Sequence, residues 1–347
     1  MMQRRDILRG AAAAALGAPA LGAFAQDTHT FRFHTFMTSN SDTWALLCKP
    51  WMDKVTAESK GRIRFEGYTA MQLGGAPGQL YDQVKDGTVD VTWTLPALSP
   101  GRFPRVEVFE LPFIMNNPEA TSKALWEYTQ THASDEFKEV HPIALHVSGP
   151  GVFHSRSKAI LSTNDLKGMK VRGPSRQVTR LLQALGATPV GMPLPAVADG
   201  ILKGTIDAAV LPWQTVPAVR LQELAKFHSD FPPETGALYT TVFLMAANKA
   251  KVEALPADLR RIFNDNCGLA TSAWCGKTTA STDPIGRKSA ADQGNRIATI
   301  GGAEADAFVR AAANVSDEWV AEISKRGHDG RRLLDAAKAL IAKHGRA

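Results

Sequence analysis

The chain has 347 residues, of which 44% are hydrophobic and 21% charged, and its formal net charge is +6 at pH 7. This composition is typical of a soluble globular protein that is long enough for two hydrophobic cores. The positive charge is mild and is not concentrated in a lysine or arginine run, which argues against nucleic-acid binding and favours anionic small molecules as partners. The three cysteines cannot all pair, so we interpret Cys48, Cys267 and Cys275 as small buried side chains.

The first 25 residues have the pattern of an export signal. Arg4 and Arg5 precede an apolar run of small residues, and a small-x-small cleavage site ends at Ala25. The paired arginines followed by Leu8 resemble a twin-arginine leader, which carries folded proteins across the bacterial inner membrane. The apolar run is shorter than the roughly 20 residues of a membrane span. We therefore expect residues 1–25 to be a signal peptide and the mature protein to be periplasmic.

From residue 30 onwards, strand patterns alternate with helix patterns. The segments FRFHT, IRFEGY and VDVTWT have strand periodicity, and the helical patterns between them end at Gly61 and Gly87. This alternation predicts a mainly parallel sheet, and ligands of such sheets bind at the carboxyl ends of the strands. We predict a first lobe made of residues 26–150 and about 241–285.

A second α/β lobe is predicted from residues 151–240 and about 286–347. Its strands are MKV and DAAVL, and its helices end at Gly186 and Gly204. The segment ALYTTVFLMAAN is too apolar for a surface element, so it predicts a long buried strand. The chain from about residue 304 onwards is helical by composition and spacing.

Three separated motifs follow one another in a specific order. They are QLGG at residues 72–75 followed by VKDGTVDV, VFELPFIM at residues 108–115, and DLKGMKVR followed by LGATPVGMP. In this order they resemble the extracytoplasmic solute-binding proteins of TRAP transporters, the DctP family, over nearly all of the mature chain. The resemblance implies a two-lobed periplasmic-binding-protein fold, joined by crossing strands and a long helix, that closes around a ligand. It also implies a monomer without a cofactor, with TRAP membrane permease subunits as partners.

Arg172 lies between a strand pattern and a helix pattern. In the DctP family an arginine at this position binds the carboxylate of the substrate, so the resemblance implies that role for Arg172. A guanidinium suits it because two parallel hydrogen bonds can be made to a carboxylate and the charge is permanent. From spacing alone, an ion pair with a structural carboxylate of the same chain is an equal alternative. We interpret Arg176 and Arg180, one helical turn apart, as a solvated face.

The chain departs from the family pattern where a polar cleft is expected. Leu194 stands in place of the usual aromatic residue, and Leu211 replaces an asparagine that often assists the carboxylate. Val152, Phe153 and His154 stand where a second arginine is often found. Because buried polar groups need partners, these changes disfavour sugar acids and favour an aromatic or otherwise hydrophobic monocarboxylate. A C4-dicarboxylate, a 2-oxo acid and a metal-bridged carboxylate are the alternatives within the family.

Aromatic residues that follow strand ends complete the predicted binding site. Trp93 and Trp213 end strands of different lobes, where they are placed to sandwich a flat ring. Core packing is the alternative for each aromatic residue, and Met37 and Tyr239 are further candidates for the border of the site. The predicted substrate-binding residues are Arg172, Trp213, Trp93, Phe36, His34, Gln72, His154, Leu194, Leu211, Trp44 and Phe243.

The sequence carries no G-x-S-x-G, H-E-x-x-H, phosphate-loop or paired-cysteine zinc motif. We therefore predict a binding protein rather than an enzyme. A periplasmic hydrolase or lyase is the alternative, because catalytic triads are spatial arrangements that sequence order does not reveal. A receptor of an ABC importer is a second alternative, because such periplasmic receptors share the same kind of fold.

Overall fold

A computed structural model describes residues 27–115 and 117–345. The predicted signal peptide therefore lies outside the described residues. No helix in these two ranges combines the length and hydrophobicity that crossing a membrane requires. Cys48 and Cys275 are buried, Cys267 is half-buried, and none of the three forms a disulfide.

The described residues form eleven strands and eleven α-helices. In chain order the strands are β1 (His29–Thr35), β2 (Ile63–Tyr68), β3 (Val91–Thr94), β4 (His141–Val147), β5 (Gly151–Ser155), β6 (Lys170–Gly173), β7 (Thr188–Gly191), β8 (Ala208–Pro212), β9 (Phe227–Asp230), β10 (Val242–Ala247) and β11 (Arg296–Thr299). The helices are α1 (Lys49–Glu58), α2 (Leu80–Lys85), α3 (Pro118–His132), α4 (Arg176–Ala184), α5 (Val197–Leu202), α6 (Leu221–Leu224), α7 (Lys249–Glu253), α8 (Ala257–Asp265), α9 (Leu269–Asp292), α10 (Gly302–Lys325) and α11 (Gly330–Gly345).

Two sheets organise these elements into two lobes, as the sequence predicted. The sheet of lobe 1 has the order β2-β1-β3-β10-β4, and the sheet of lobe 2 has the order β11-β9-β5-β8-β6-β7. Every antiparallel pair involves β5 or β10, and the other described strand pairs are parallel. All six residues of β10 are buried, which explains its continuous apolar run: a central strand covered on both faces has no polar side.

Two antiparallel chain segments cross between the lobes side by side. One leads from β4 to β5 and the other leads into β10. The Ser148 amide donates to the Thr241 carbonyl at 3.0 Å, and the Gly151 amide donates to the Tyr239 carbonyl at 2.9 Å. A β-carbon at Gly151 would lie 2.0 Å from a ring carbon of Tyr239, so only glycine lets the two segments approach this closely. The crossing strands implied by the family resemblance are present.

The 24-residue helix α9 connects the lobes along one side. It packs on β4 and α3 of lobe 1 and on the turn Trp213–Thr215 of lobe 2. A β-carbon at Gly286 would lie 1.9 Å from the Trp213 carbonyl oxygen, so the helix and the turn touch backbone to backbone. Asp283, one turn earlier, accepts a hydrogen bond of 2.9 Å from the Gln214 amide.

The carboxyl-terminal helices divide between the two lobes, which corrects part of the predicted boundary. Residues 286–347 were assigned to lobe 2, and α10 does pack on α4 of that lobe. Helix α11 instead packs on α3 of lobe 1, where Leu334 and Ala337 join the same hydrophobic cluster as Tyr128. The amphipathic pattern of α11 shows that one face is buried, but it does not show against which lobe.

Arg176 and Arg180 of α4 belong to an ion-pair network rather than to a solvated face. Arg176 pairs with Glu107 of lobe 1 and, at 2.5 Å, with Glu322 of α10. Arg180 also pairs with Glu322, at 2.6 Å. Burial alone would raise the pKa of Glu322, but the two arginines outweigh it and lower that pKa to about 2. The network ties α4 to α10 and to lobe 1, so the prediction for these arginines was wrong.

Candidate functional site

A cavity lies between the lobes at the carboxyl ends of β1, β3, β6 and β8, as expected for α/β sheets. We call it the interlobe cavity; together with the open space at its mouth it has a volume of about 440 Å³. The surface that its lining residues expose is mostly apolar, and Arg172 is the single charged side chain among the described lining residues. The lining residues are Phe36, Met37, Thr43, Trp93, Leu95, Arg172, Pro174, Leu194, Leu211, Pro212, Gln214, Thr215, Tyr239, Thr241 and Phe243.

Arg172, on β6, is a buried cation without an acidic partner. Only 3% of its surface is exposed, and in the described ranges no carboxylate forms an ion pair with it. Its Nε donates to the Met192 carbonyl at 3.0 Å and its Nη1 donates to the Val210 carbonyl at 3.3 Å. Burial lowers the pKa of Arg172 to about 10, which leaves the side chain charged at neutral pH. The structure thus offers no support for a structural ion pair.

The lobe 1 side of the interlobe cavity is an aromatic wall. The rings of Trp93 and Phe243 stack with centroids 4.5 Å apart, and Phe36 lies 5.7 Å from Trp93. The Trp93 indole Nε1 donates to Nε2 of His146 at 3.0 Å. Burial lowers the pKa of His146 to about 4, so this imidazole is neutral and can accept that hydrogen bond. The wall is therefore fixed by hydrogen bonding as well as by packing.

This combination of fold and site agrees with comparisons to known proteins. The family model described as bacterial extracellular solute-binding protein, family 7 (DctP), matches residues 34–322. The chain belongs to this family. The sequence-based recognition of the family and of its two-lobed fold is confirmed.

Two solved structures resemble this DctP-family protein along most of its length. A TRAP solute-binding protein from Rhodoferax ferrireducens, in complex with copurified benzoate, is 57% identical with a TM-score of 0.91, over 92% of this chain and 99% of that one. A marine metagenome TRAP protein specific for aromatic acid ligands, in complex with 3-hydroxybenzoate, is 43% identical with a TM-score of 0.90, over 91% and 99%. In sequence, the outer membrane transporter protein TsaT of Comamonas testosteroni is 26% identical over 336 residues, 95% of this chain and 96% of TsaT.

Six of the residues predicted for the site of this DctP-family protein line the interlobe cavity. The two border candidates, Met37 and Tyr239, line it as well. The six predicted residues are Arg172, Trp93, Phe36, Leu194, Leu211 and Phe243.

Trp213 and His154 do not line the interlobe cavity, contrary to the prediction. The Trp213 ring lies 5.1 Å from the rings of both His154 and His228, within lobe 2. His154 Nδ1 is 2.7 Å from Nδ1 of His228, and its Nε2 is 3.1 Å from the Leu211 carbonyl. Both imidazole nitrogens of His154 are thus used inside the lobe. Its role is to hold the end of β8, whose side chains reach the cavity.

Three predicted residues of lobe 1 also lie outside the interlobe cavity. Nδ1 of His34 is bound to the Gln83 amide oxygen at 2.8 Å, and its Nε2 accepts from the Leu73 amide at 3.3 Å. Gln72 accepts from the amide of Thr69 within its own turn. Trp44 packs edge-on against Phe33, and its ring fills the space that a side chain at residue 67 would need. Each of these side chains has its contacts within lobe 1.

The sequence analysis missed several polar lining residues, above all Gln214. It follows the conspicuous Trp213 in a single helical turn, so the two side chains point in different directions. Gln214 is 7% exposed, and in the described structure its Oε1 has no hydrogen-bond partner. Thr215, next along the chain, already donates to the Pro212 carbonyl at 2.8 Å. A search for polar residues beside the strand-end aromatic, and not only for the aromatic itself, would have found Gln214.

Proposed function

We propose that the protein is the periplasmic receptor of a TRAP-type transporter and that it captures an aromatic monocarboxylate. The observation that carries the proposal is the buried Arg172, which has no carboxylate partner in the described structure. A buried charge without a counter-charge costs several kcal/mol, and a ligand carboxylate would offset that cost. The ring of the ligand would pack on Trp93 and Phe243, gaining about 25 cal/mol for each Å² of apolar surface removed from water.

The similar structures support this ligand class. The protein from Rhodoferax ferrireducens holds benzoate, and the marine metagenome protein holds 3-hydroxybenzoate. Both ligands have one carboxylate and one flat ring, which matches one buried arginine and an aromatic wall. A dicarboxylate or a sugar acid would bring a second charge or several hydroxyl groups into a cavity with few polar partners.

Lobe closure is the mechanism that this arrangement favours. Arg172 and Leu211 belong to lobe 2, whereas Trp93 and Phe36 belong to lobe 1, so a ligand between them would contact both lobes. Closing the lobes around the ligand excludes water and strengthens the ion pair by lowering the local dielectric constant. Ligand binding favours the closed state because both lobes contact the ligand only in that state. The closed receptor would then be recognised by the membrane permease subunits.

Three further expectations belong to this proposal. The chain is exported by the twin-arginine route, acts as a monomer, and releases its ligand unchanged rather than acting as an enzyme. Among the described residues, no group of three or more histidine, cysteine, aspartate or glutamate side chains is placed to hold a metal ion. In the proposed binding mode the ligand carboxylate binds Arg172 directly.

The test is ligand binding by purified mature protein after unfolding, removal of any copurified ligand and refolding. Benzoate and 3-hydroxybenzoate are compared with succinate, galactonate and 2-oxoisovalerate by thermal shift and calorimetry. A ligand at a hundred times its Kd adds about 2.7 kcal/mol to stability if it binds only the folded state. We expect this gain for the two ring acids. Stabilisation by succinate or galactonate instead would refute the proposed ligand class.

Arg172→Lys tests the anchor itself. The lysine keeps the charge but loses the planar fork, so we expect benzoate affinity to fall roughly tenfold to a hundredfold, which corresponds to about 1.4–2.8 kcal/mol. Arg220→Lys is the matched control, because Arg220 is an exposed arginine of the same lobe. Equal benzoate affinity in Arg172→Lys and the control would remove Arg172 from the site. Product formation from any of these acids would favour the enzyme alternative.

A further inference from the structure

Tyr239 occupies a special position at the boundary of the two lobes. It lies in the crossing segment that leads into β10, and its ring packs against the bare backbone of Gly151. The side chain is 1% exposed and lines the interlobe cavity together with Arg172. Because neighbouring backbone holds the ring on one side, its hydroxyl is fixed in place before any ligand arrives.

The hydroxyl of Tyr239 is buried and has no hydrogen-bond partner in the described structure. Buried polar groups are normally paired, so an unpaired one on a residue that lines a cavity points to a partner that enters the cavity. Burial raises the pKa of Tyr239, an effect that the nearby Arg172 opposes and Glu110 reinforces. The hydroxyl therefore keeps its proton and acts as a hydrogen-bond donor.

In the described structure Arg172 still has N–H groups without a partner, but its Nε is not among them. Its Nε and one N–H of Nη1 are already bound to the carbonyl groups of Met192 and Val210. Three N–H groups remain, on Nη1 and Nη2, at the end of the guanidinium. A carboxylate has about four lone-pair sites, so a ligand held by these groups can accept a further hydrogen bond from another direction.

We propose that the Tyr239 hydroxyl is the second donor to the ligand carboxylate and works together with Arg172. The inference rests on the proposed function, because it assigns a specificity-determining residue within the same site. It predicts a preference for an ionised carboxylate, which accepts from both the guanidinium and the phenol, over a neutral amide or ester of the same acid. The lining hydroxyl of Thr215 is less suited to this role because it already donates to the Pro212 carbonyl.

The experiment compares Tyr239→Phe with Tyr81→Phe. Tyr81 is a matched control: its hydroxyl is also buried without a partner in the described structure, but it lies in the core of lobe 1 beneath Arg102. Benzoate affinity is measured by calorimetry, and the stability of the ligand-free protein by denaturant unfolding. We expect Tyr239→Phe to bind benzoate about tenfold more weakly or worse, because a hydrogen bond to a charged group is lost. We expect Tyr81→Phe to bind benzoate like the wild type.

Ligand-free stability distinguishes a binding role from a structural one. If the hydroxyl has no partner without ligand, removing it leaves the stability of the ligand-free protein unchanged or higher. Weaker binding together with undiminished ligand-free stability supports the proposal. Equal affinity in Tyr239→Phe and the wild type would overturn it while leaving Arg172 as the anchor, and a loss of ligand-free stability would overturn it as well. A wild type that binds no ring monocarboxylate would overturn both this inference and the proposed function.

Discussion

Replacing Glu110 by glutamine should make the protein more stable at alkaline pH and change little in acid. Glu110 is 2% exposed; its Oε1 accepts a hydrogen bond of 3.0 Å from the Val242 amide, and its Oε2 has no partner in the described structure. Burial raises the pKa of Glu110 to about 7, although the nearby Ser175 hydroxyl, the Val242 amide and Arg176 oppose the shift. The folded protein therefore holds a proton there that the unfolded chain has lost at the same pH.

The size of the effect follows from the two pKa values of Glu110. The ordinary value is 4.5 and the folded value is about 7, and at 1.36 kcal/mol per pH unit the difference corresponds to about 3 kcal/mol. The wild type should lose up to this amount of stability as the pH rises from about 4.5 to 7, because ionisation inside the protein is unfavourable. The glutamine variant does not titrate and keeps the hydrogen bond from Val242, so its advantage should appear only above pH 5 and level off above pH 7.

The assay is urea unfolding of ligand-free wild type and Glu110→Gln between pH 4.5 and 8.5. Glu322→Gln is a control whose effect on stability should have the opposite sign, because Arg176 and Arg180 lower the pKa of Glu322 to about 2 despite its partial burial. The stability that Glu322 contributes is present above pH 4.5 and is lost as the pH falls towards 2, so this variant should be less stable than the wild type at pH 8. Parallel pH profiles for Glu110→Gln and the wild type would refute the reasoning.

Two further substitutions test the contact between α9 and the Trp213 turn and the polar lining of the interlobe cavity. Gly286→Ala should destabilise the protein by roughly 1–3 kcal/mol in denaturant unfolding, because its β-carbon would collide with the Trp213 carbonyl. Gly301→Ala, which has open space at its β-carbon and negative φ, should stay within about 0.5 kcal/mol of the wild type; equal effects of the two would contradict the close contact. Gln214→Leu should weaken binding of 3-hydroxybenzoate about tenfold more than binding of benzoate, because the unpaired Oε1 of this lining residue can accept a hydrogen bond from a ring hydroxyl. A parallel loss for both acids in calorimetry would contradict this role.

The local pattern of the sequence was enough to predict the two-lobed α/β fold and most strands. Strand and helix periodicities are properties of short segments. Ligand clefts form at the carboxyl ends of strands such as β3 and β6, so these ends indicate the cleft even when the arrangement of the sheet is unknown. Trp93 was found in this way, whereas the anchor role proposed for Arg172 came from the family resemblance. Trp213 was misplaced because the direction of its turn depends on contact with Gly286, far along the chain.

The same dependence on residues that are distant in sequence explains why other residues were misplaced. His154 has its partner in His228, and Arg180 has its partner in Glu322; neither partner is near in sequence. Pairings of this kind depend on tertiary packing, which no short segment encodes. Tyr239 was a candidate for the border of the site from sequence, but that its buried hydroxyl has no partner in the described structure becomes evident only once its neighbours are known.

The position of β10 in the sheet of lobe 1 has a consequence for the order of folding. This strand lies between β3 and β4, yet residues 95–241 separate it from β3 in the chain, and all but one strand of lobe 2 lie in that interval. Such distant pairings have a high contact order, which slows folding. Until residue 247 has been synthesised, β3 and β4 each lack a central neighbour, and unpaired strand edges promote aggregation. The sheet of lobe 1, whose first strands are synthesised earliest, is thus completed only after most strands of lobe 2 have been synthesised.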